Sequence, residues 1–184
     1  LAKAPRTEPG TTVTLVPRRD AEHWLATPMV TELARLYGSL LPIRISVDGV
    51  QITAGPAPWS PAAGASPAAR RPGLVRYAQE ALGFTPFDVI ELSVPEAGLT
   101  GAAFVLPHPV NPAARPGHRV YLKQMLLTDG AEGLLPDWAF FARCVVDTSE
   151  LRPTASREAL YEDSLLEATR EALGDQLRGW LVRL

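Results

Sequence analysis

The residue in this chain whose type and setting best suit chemistry is Arg157, in the run Ser156-Arg157-Glu158-Ala159-Leu160. A planar guanidinium stays charged at every relevant pH and donates two parallel hydrogen bonds to phosphate oxygens. Brought to a nucleotide from outside its pocket, it stabilises the charge that spreads over a transferring phosphoryl group, an effect on the order of 10³ in rate. Ser156 is an N-cap candidate, which predicts Arg157 in the first turn of a helix and therefore on a fixed element. Residue type alone favours the other reading, a surface ion pair. The helix dipole disfavours a cation at that position, so Arg157 wants Glu158, Glu162 or a ligand beside it.

Other chemistry-bearing residues form weaker patterns. His23, His108 and His118 have no metal-ligand spacing to one another or to a carboxylate cluster, so no metal site is assigned. Cys144 is the only cysteine; it sits in an apolar run and reads as an inert core thiol. Asp129, Glu132 and Asp137 surround a turn and a helix start, and read as carboxylates favoured near N–H-rich helix ends. Arg119 and Lys123 read as the solvent side of a strand rather than as phosphate ligands. There is no glycine-rich phosphate loop and no Gly-x-Ser-x-Gly elbow. Trp59 stands alone in a Pro/Ala stretch, a candidate contact for a partner, with folding back onto its own domain as the other reading.

These residues need elements to hold them. Thr12 to Val16 is a β-branched run closed by Pro17, a predicted strand. Thr27-Pro28 starts a helix with a hydroxyl at the N-cap, and Met29, Leu33, Leu36 and Tyr37 form its buried stripe. Ile43, Ile45 and Val47 alternate with polar residues, and Asp48-Gly49 turns that strand into Val50-Gln51-Ile52. Ala54 to Pro72 is Pro, Ala, Gly and Ser and reads as a linker. A helix marked by Leu74, Tyr77, Ala78, Ala81 and Leu82 ends at Gly83. Strands are predicted over Asp88 to Val94, Leu99 to Leu106, His118 to Leu127 and Arg143 to Val146, with a helical turn around Leu134 to Phe141. The last helix runs from about Ser164 with Leu166, Thr169, Leu173, Leu177, Trp180 and Leu184 along one seam. The pattern is α+β: a mixed or antiparallel sheet with helices on its faces and a long amphipathic C-terminal helix.

With 184 residues and a formal charge of −2, the chain carries no global basic field for nucleic acid or an anionic membrane. A single cysteine excludes an intrachain disulfide and suits a reducing cytoplasm. No apolar run approaches the roughly 18 residues of a membrane span. The start at Leu1 and the uncapped helical pattern running to Leu184 give the expectation of a piece of a larger protein.

The stretch from Val120 to Leu160 resembles the middle segment of the ninety-kilodalton heat-shock chaperone family. The likeness is carried by Val120, Tyr121 and Lys123, by Thr128-Asp129-Gly130-Ala131-Glu132 and by Leu134-Leu135-Pro136-Asp137-Trp138. Cys144-Val145-Val146-Asp147 and Ser156-Arg157-Glu158 with Leu160 complete it. Gly10 to Leu15, Trp24-Leu25, Leu33, Tyr37 and Pro42 are similar to the end of that family's N-terminal ATPase domain. Pro86-Phe87-Asp88 through Leu106-Pro107 resembles the first hairpin of the middle segment. Trp59 sits where the family has a Leu-Trp-Thr-Arg motif, of which only the tryptophan and a neighbouring proline remain.

The resemblance implies residues 1-52 as the end of the ATPase domain, 53-73 as linker and 74-184 as a middle-segment subdomain of ribosomal-protein-S5-like architecture. It implies an ATP-dependent chaperone of the cytoplasmic stress response that binds unfolded client proteins and works as a homodimer. In that scheme Arg157 reaches the nucleotide held by the N-terminal domain, and Trp59 is a candidate client contact. ATP and magnesium belong to the full-length parent, and this piece alone is expected to be inactive and to bind no cofactor. Tyr161 stands where the family has a glutamine that assists the arginine, and is the candidate for that assisting role. No nucleic acid or membrane partner is implied. Two other readings are kept: the transducer domain of a related ATPase of the type II topoisomerase or MutL kind, and an interaction module without an ATP cycle.

Overall fold

A computed structural model describes residues 9–53, 55–64, 66–113, 116–156 and 158–184. A three-ten turn over Arg19–Leu25 leads into helix α1, Thr27–Gly38. Its N-cap is Ala26 rather than the expected Thr27, because the Thr27 hydroxyl donates instead to the Asp48 carboxylate at 2.6 Å. Pro28 occupies the first turn, where a missing N–H costs nothing. Strands β1 (Ser46–Val47) and β2 (Val50–Gln51) form a short antiparallel pair. Asp48 and Gly49 both take positive φ, 48° and 79°, as the Asp-Gly turn predicts.

The predicted strand over Thr12 to Val16 is not formed. Val13, Leu15 and Val16 are exposed, and among the described residues no strand lies alongside to take up the backbone hydrogen bonds that a strand needs.

The stretch expected as structureless linker is partly helical. Ser60 accepts from the Ala62 N–H to start a three-ten turn over Pro61–Ala63. Ser66 accepts from the Ala69 N–H and Pro67 opens helix α2, Pro67–Tyr77. Composition concealed the start of this helix, whose later part from Leu74 was predicted, yet a serine N-cap followed by proline at the first position is a helix-start signal. A π-helical turn over Ala78–Leu82 continues it to Gly83, which closes it in the left-handed region at φ 81°.

Five strands form the main sheet: β3 (Val89–Val94), β4 (Leu99–Val105), β5 (His118–Leu122), β6 (Met125–Ala131) and β7 (Ala142–Thr148). Their order is β3-β4-β7-β5-β6, antiparallel throughout except for the parallel pair β5–β7. The sheet is mixed and the class is α+β, as expected. One predicted strand, His118 to Leu127, is two: the chain reverses at Lys123 and Gln124, with φ of 51° and 67°. Neither residue favours that conformation. The turn is held by the Lys123 N–H donating to Thr148 O at 2.9 Å and the Gln124 N–H donating to Asp147 Oδ1 at 2.8 Å.

Helix α3 spans Ser164–Leu181, and Asp163 caps it by accepting the Leu166 N–H at 3.0 Å. Its buried seam is Leu166, Thr169, Leu173 and Leu177; Leu184 lies past the helix and is exposed. Gln176 of α3 also clasps edge strand β3, accepting the Ser93 N–H and donating to Ser93 O at 2.9 Å. That contact covers part of an otherwise open sheet edge.

Both faces of the sheet are covered. Leu92, Val94, Ala103, Val105, Val146 and the α3 seam form one core. Ala102, Phe104, Tyr121, Val145, Leu74 and Trp59 form the other, which Leu40, just past α1, also joins. Strand β4 alternates between the two, which is why Leu99 and all of 101–105 are buried. At Gly101 a Cβ would collide with Val145 O, so β4 and β7 approach closely only because that residue lacks one.

Candidate functional site

Arg157 lies outside the described residues, and so do Ala54, Ala65, Ala114, Arg115 and residues 1–8. The connection that carries it, between β7 and α3, is anchored at both ends. Thr148 at the end of β7 donates its hydroxyl to Ala97 O at 2.7 Å and accepts the Leu151 N–H. Pro153 and Leu160 then pair across an antiparallel bridge. Flanking that bridge, the Tyr161 N–H donates to Arg152 O at 2.7 Å and the Thr154 N–H donates to Ala159 O at 2.8 Å. The base is closed again by the ion pair Arg152–Asp163 at 2.9 Å, with Asp163 capping α3 at the same time.

This geometry overturns the N-cap expected at Ser156. The cross-chain pairing of 152–154 with 159–161 imposes extended backbone on both arms, and the Ser156 hydroxyl sits 3.1 Å from the Thr154 hydroxyl. The helix begins eight residues later, behind Asp163. The neighbours Ser156 and Glu158 are exposed, at the turn of a pinned hairpin rather than on a helix. Glu158 lines a shallow groove with Tyr37 of α1 and with Met125 and Leu127 of β6.

Tyr161 is about half exposed, and its ring lies 5.4 Å under the Arg152 guanidinium. That stacking ties the tyrosine to the base of the hairpin.

Trp59 does not stand free on a loop. It is 5% exposed, packs edge-on against the Tyr77 ring at 5.6 Å and lies 6.3 Å from the Tyr121 ring. The expected exposed partner contact is therefore corrected to a core residue. The cause is the aromatic surface that α2 and β5 offer it, together with the turn at Ser60 that folds the segment inward.

The sequence reading missed a charged cluster on β5 and β6. Arg119 is 8% exposed rather than on the solvent side. It grips Asp129 with two parallel hydrogen bonds of 2.8 and 2.7 Å, and its third nitrogen reaches the Tyr77 hydroxyl at 3.4 Å. Arg143 adds a 3.0 Å bond to the same carboxylate and donates to Gly117 O. Asp129 thus belongs to a strand and joins two arginines; it does not cap a helix. Burial pulls its pKa upward, but the hydrogen bond and charge of Arg119, aided by Arg143, hold it below the ordinary value. The missed signal was period two, since Arg119 shares a strand face with Tyr121. Lys123, also expected on a strand, is an exposed turn residue.

Asp129→Ala leaves two guanidiniums without their carboxylate, one of them buried. Because Asp129 itself is 40% exposed at its side chain, the expected loss is about 2 kcal/mol, below the ~3–5 typical of a fully buried pair. Urea unfolding checks it, and adding Arg119→Met should recover part of the loss.

His118 is buried beside this cluster, and its Nδ1 accepts the Cys144 N–H at 3.2 Å. Burial, with the Arg143 charge adding to it, pushes its pKa down to about 4. The stability held by neutral His118 is fully present above the ordinary value of 6.5 and is lost as pH falls toward about 4, about 3 kcal/mol in all. Unfolding curves between pH 7 and 4 should lose this component in His118→Asn, whose Oδ1 can still accept from Cys144. Cys144 is fully buried, and burial raises its thiol pKa far above the usual range.

Among the described residues no group of three or more His, Cys, Asp or Glu side chains could hold a metal ion, and no helix is long and apolar enough to cross a membrane.

A fold of this class with an arginine-bearing connection between sheet and helix finds its relatives among the chaperones. The chain is 26% identical over 192 aligned residues to the chaperone protein HtpG of Oleidesulfovibrio alaskensis, covering 96% of this chain and 28% of that protein. It is 28% identical to HtpG of Methylobacterium nodulans, covering 94% of this chain and 30% of that protein. A shorter stretch, 32% of the chain, is 41% identical to HtpG of Bordetella pertussis. No family model matches. The chain is thus similar to a segment of HtpG chaperones along nearly its whole length, and it spans under a third of the length of these curated relatives.

Proposed function

We propose that this chain is the middle segment of an ATP-dependent molecular chaperone, which binds unfolded clients and supplies Arg157 to ATP held by the N-terminal domain of the same chain. The observation that carries the reading is the similarity to HtpG along 94–96% of the chain, with Ser156 and Glu158, the sequence neighbours of Arg157, both exposed in the connection between β7 and α3. The bridge at Pro153 and Leu160 and the ion pair Arg152–Asp163 anchor that connection. A cation on such a base is carried to its target by movement of whole domains, so hydrolysis would await closure.

In this reading Tyr161 assists through its hydroxyl, and Asp163 and Arg152 position the hairpin. Magnesium-bound ATP and the homodimer belong to the full-length parent, which would work in the cytoplasm on partly folded proteins without nucleic acid or membrane. The segment alone would turn over no ATP. The test is aggregation of a thermally unfolding client protein followed by light scattering. The full-length parent should suppress it in an ATP-dependent way, with ATP turnover indifferent to added DNA. Turnover stimulated by DNA would instead identify a transducer of the topoisomerase or repair kind.

A further inference from the structure

A cavity of about 690 Å³ lies between α1, the residues Ile52, Pro56, Pro58 and Ala63, the end of α2, the π-helical turn and β5. That volume is in the range of sites that enclose small organic ligands. Its floor is polar: the Tyr77 and Tyr121 hydroxyls, 3.3 Å apart, and the Arg119 guanidinium. Asp129 holds one edge of Arg119 with two short hydrogen bonds but does not itself line the cavity. The other edge meets only uncharged oxygens, the Tyr77 hydroxyl at 3.4 Å and the Tyr121 hydroxyl, so no second carboxylate competes for the donors on the cavity side. Leu36, Leu40, Ile52, Pro56 and Pro58 make the walls apolar.

At the mouth stand Arg35 of α1 and Arg76 of α2, and neither guanidinium has a hydrogen bond or ion pair among the described residues. Glu32 and Glu80 share the mouth, both exposed to solvent; no carboxylate lines the floor. The wall facing them is interrupted by the π-helical turn Ala78–Leu82, which sets Ala81 and Glu80 on the cavity. Such turns are frequent at functional sites.

We propose that this cavity binds a small amphipathic organic anion, with its apolar body against the Leu36–Leu40–Pro58 walls and its carboxylate or phosphate among Arg119, Arg35 and Arg76. A guanidinium paired with a carboxylate on one edge and facing uncharged hydroxyls on the other can receive an anion, while Asp129 keeps it from being an unpaired buried charge in the empty state. None of its lining residues comes from the connection between β7 and α3, and the proposal does not depend on the chaperone reading.

The test uses decanoate as probe and decyltrimethylammonium as its cationic counterpart, titrated calorimetrically into the protein. Decanoate should bind one-to-one, and the ammonium should not. Arg35→Ala with Arg76→Ala removes two exposed, unpaired side chains and should leave folding intact while weakening decanoate about tenfold. Ala81→Trp, which fills the cavity, should abolish binding. Equal binding of both amphiphiles, binding indifferent to the arginine pair, or no stoichiometric binding would each overturn the proposal.

Discussion

Trp59→Ala is expected to destabilise the protein by about 3–5 kcal/mol, the range for deleting a buried large aromatic. The indole is 5% exposed and is held by the Tyr77 and Tyr121 rings and by Leu74 and Phe104 of the same core. Its removal opens a void at the point where the segment 55–63 meets the sheet. The surrounding backbone can collapse only partly, because Phe104 and Val145 are fixed in strands with no exposed surface. Against a typical domain stability of ~5–15 kcal/mol the loss is large, and urea unfolding monitored by far-ultraviolet circular dichroism will show it. A tryptophan serving only to touch a client would give a near-normal midpoint on replacement. Trp59→Phe should recover most of the stability by keeping an aromatic edge against Tyr77.

The second large effect concerns catalysis in the full-length parent. Under the proposed function, Arg157 meets the nucleotide only when the domains close, so it acts on charge that develops as the phosphoryl group transfers. Such a group contributes to the rate far more than to ground-state binding. Arg157→Ala should therefore lower ATP turnover by at least about tenfold and by up to the ~10³–10⁵ known for arginines that complete phosphoryl-transfer sites. Arg157→Lys should not restore it fully, since a point charge lacks the planar pair of donors. Tyr161→Phe tests the hydroxyl alone and should have a smaller effect.

Much of the fold was legible. The runs Asp88 to Val94, Leu99 to Leu106 and Arg143 to Val146 fell on β3, β4 and β7, and the Asp48-Gly49 and Gly83 signals fell where the backbone takes positive φ. The seam of α3 was readable from its spacing of three and four. What was not legible had physical causes. The reversal at Lys123-Gln124 carries no glycine or asparagine, because Asp147 and Thr148 hold it from outside the turn. The later part of α2, from Leu74, and the stop at Gly83 were legible. The start of the helix hid in a proline-rich stretch whose composition argued against regular structure, where Ser66 and Pro67 began it locally.

The candidate site was less legible than the fold. An N-cap at Ser156 was a reasonable local inference, but the hairpin bridge between Pro153 and Leu160, seven residues apart, overrode it. A single bridge of this kind leaves no periodic trace in the sequence. Arg119 was misjudged for a similar reason: alternation assigns a face to a residue but not what covers that face. Here Tyr77 from α2 does so, and Asp129 across the hairpin balances the charge. The cavity beside it follows from how α1 and α2 meet the sheet, which no single element announces.

The most direct test of the central claim is steady-state ATP hydrolysis by the full-length parent, wild type against Arg157→Ala, with ATP affinity measured on both. The account predicts turnover reduced at least about tenfold with affinity unchanged, the signature of an interaction made only in the transition state. Equal turnover in the two proteins would contradict it and return Arg157 to an ordinary surface ion pair.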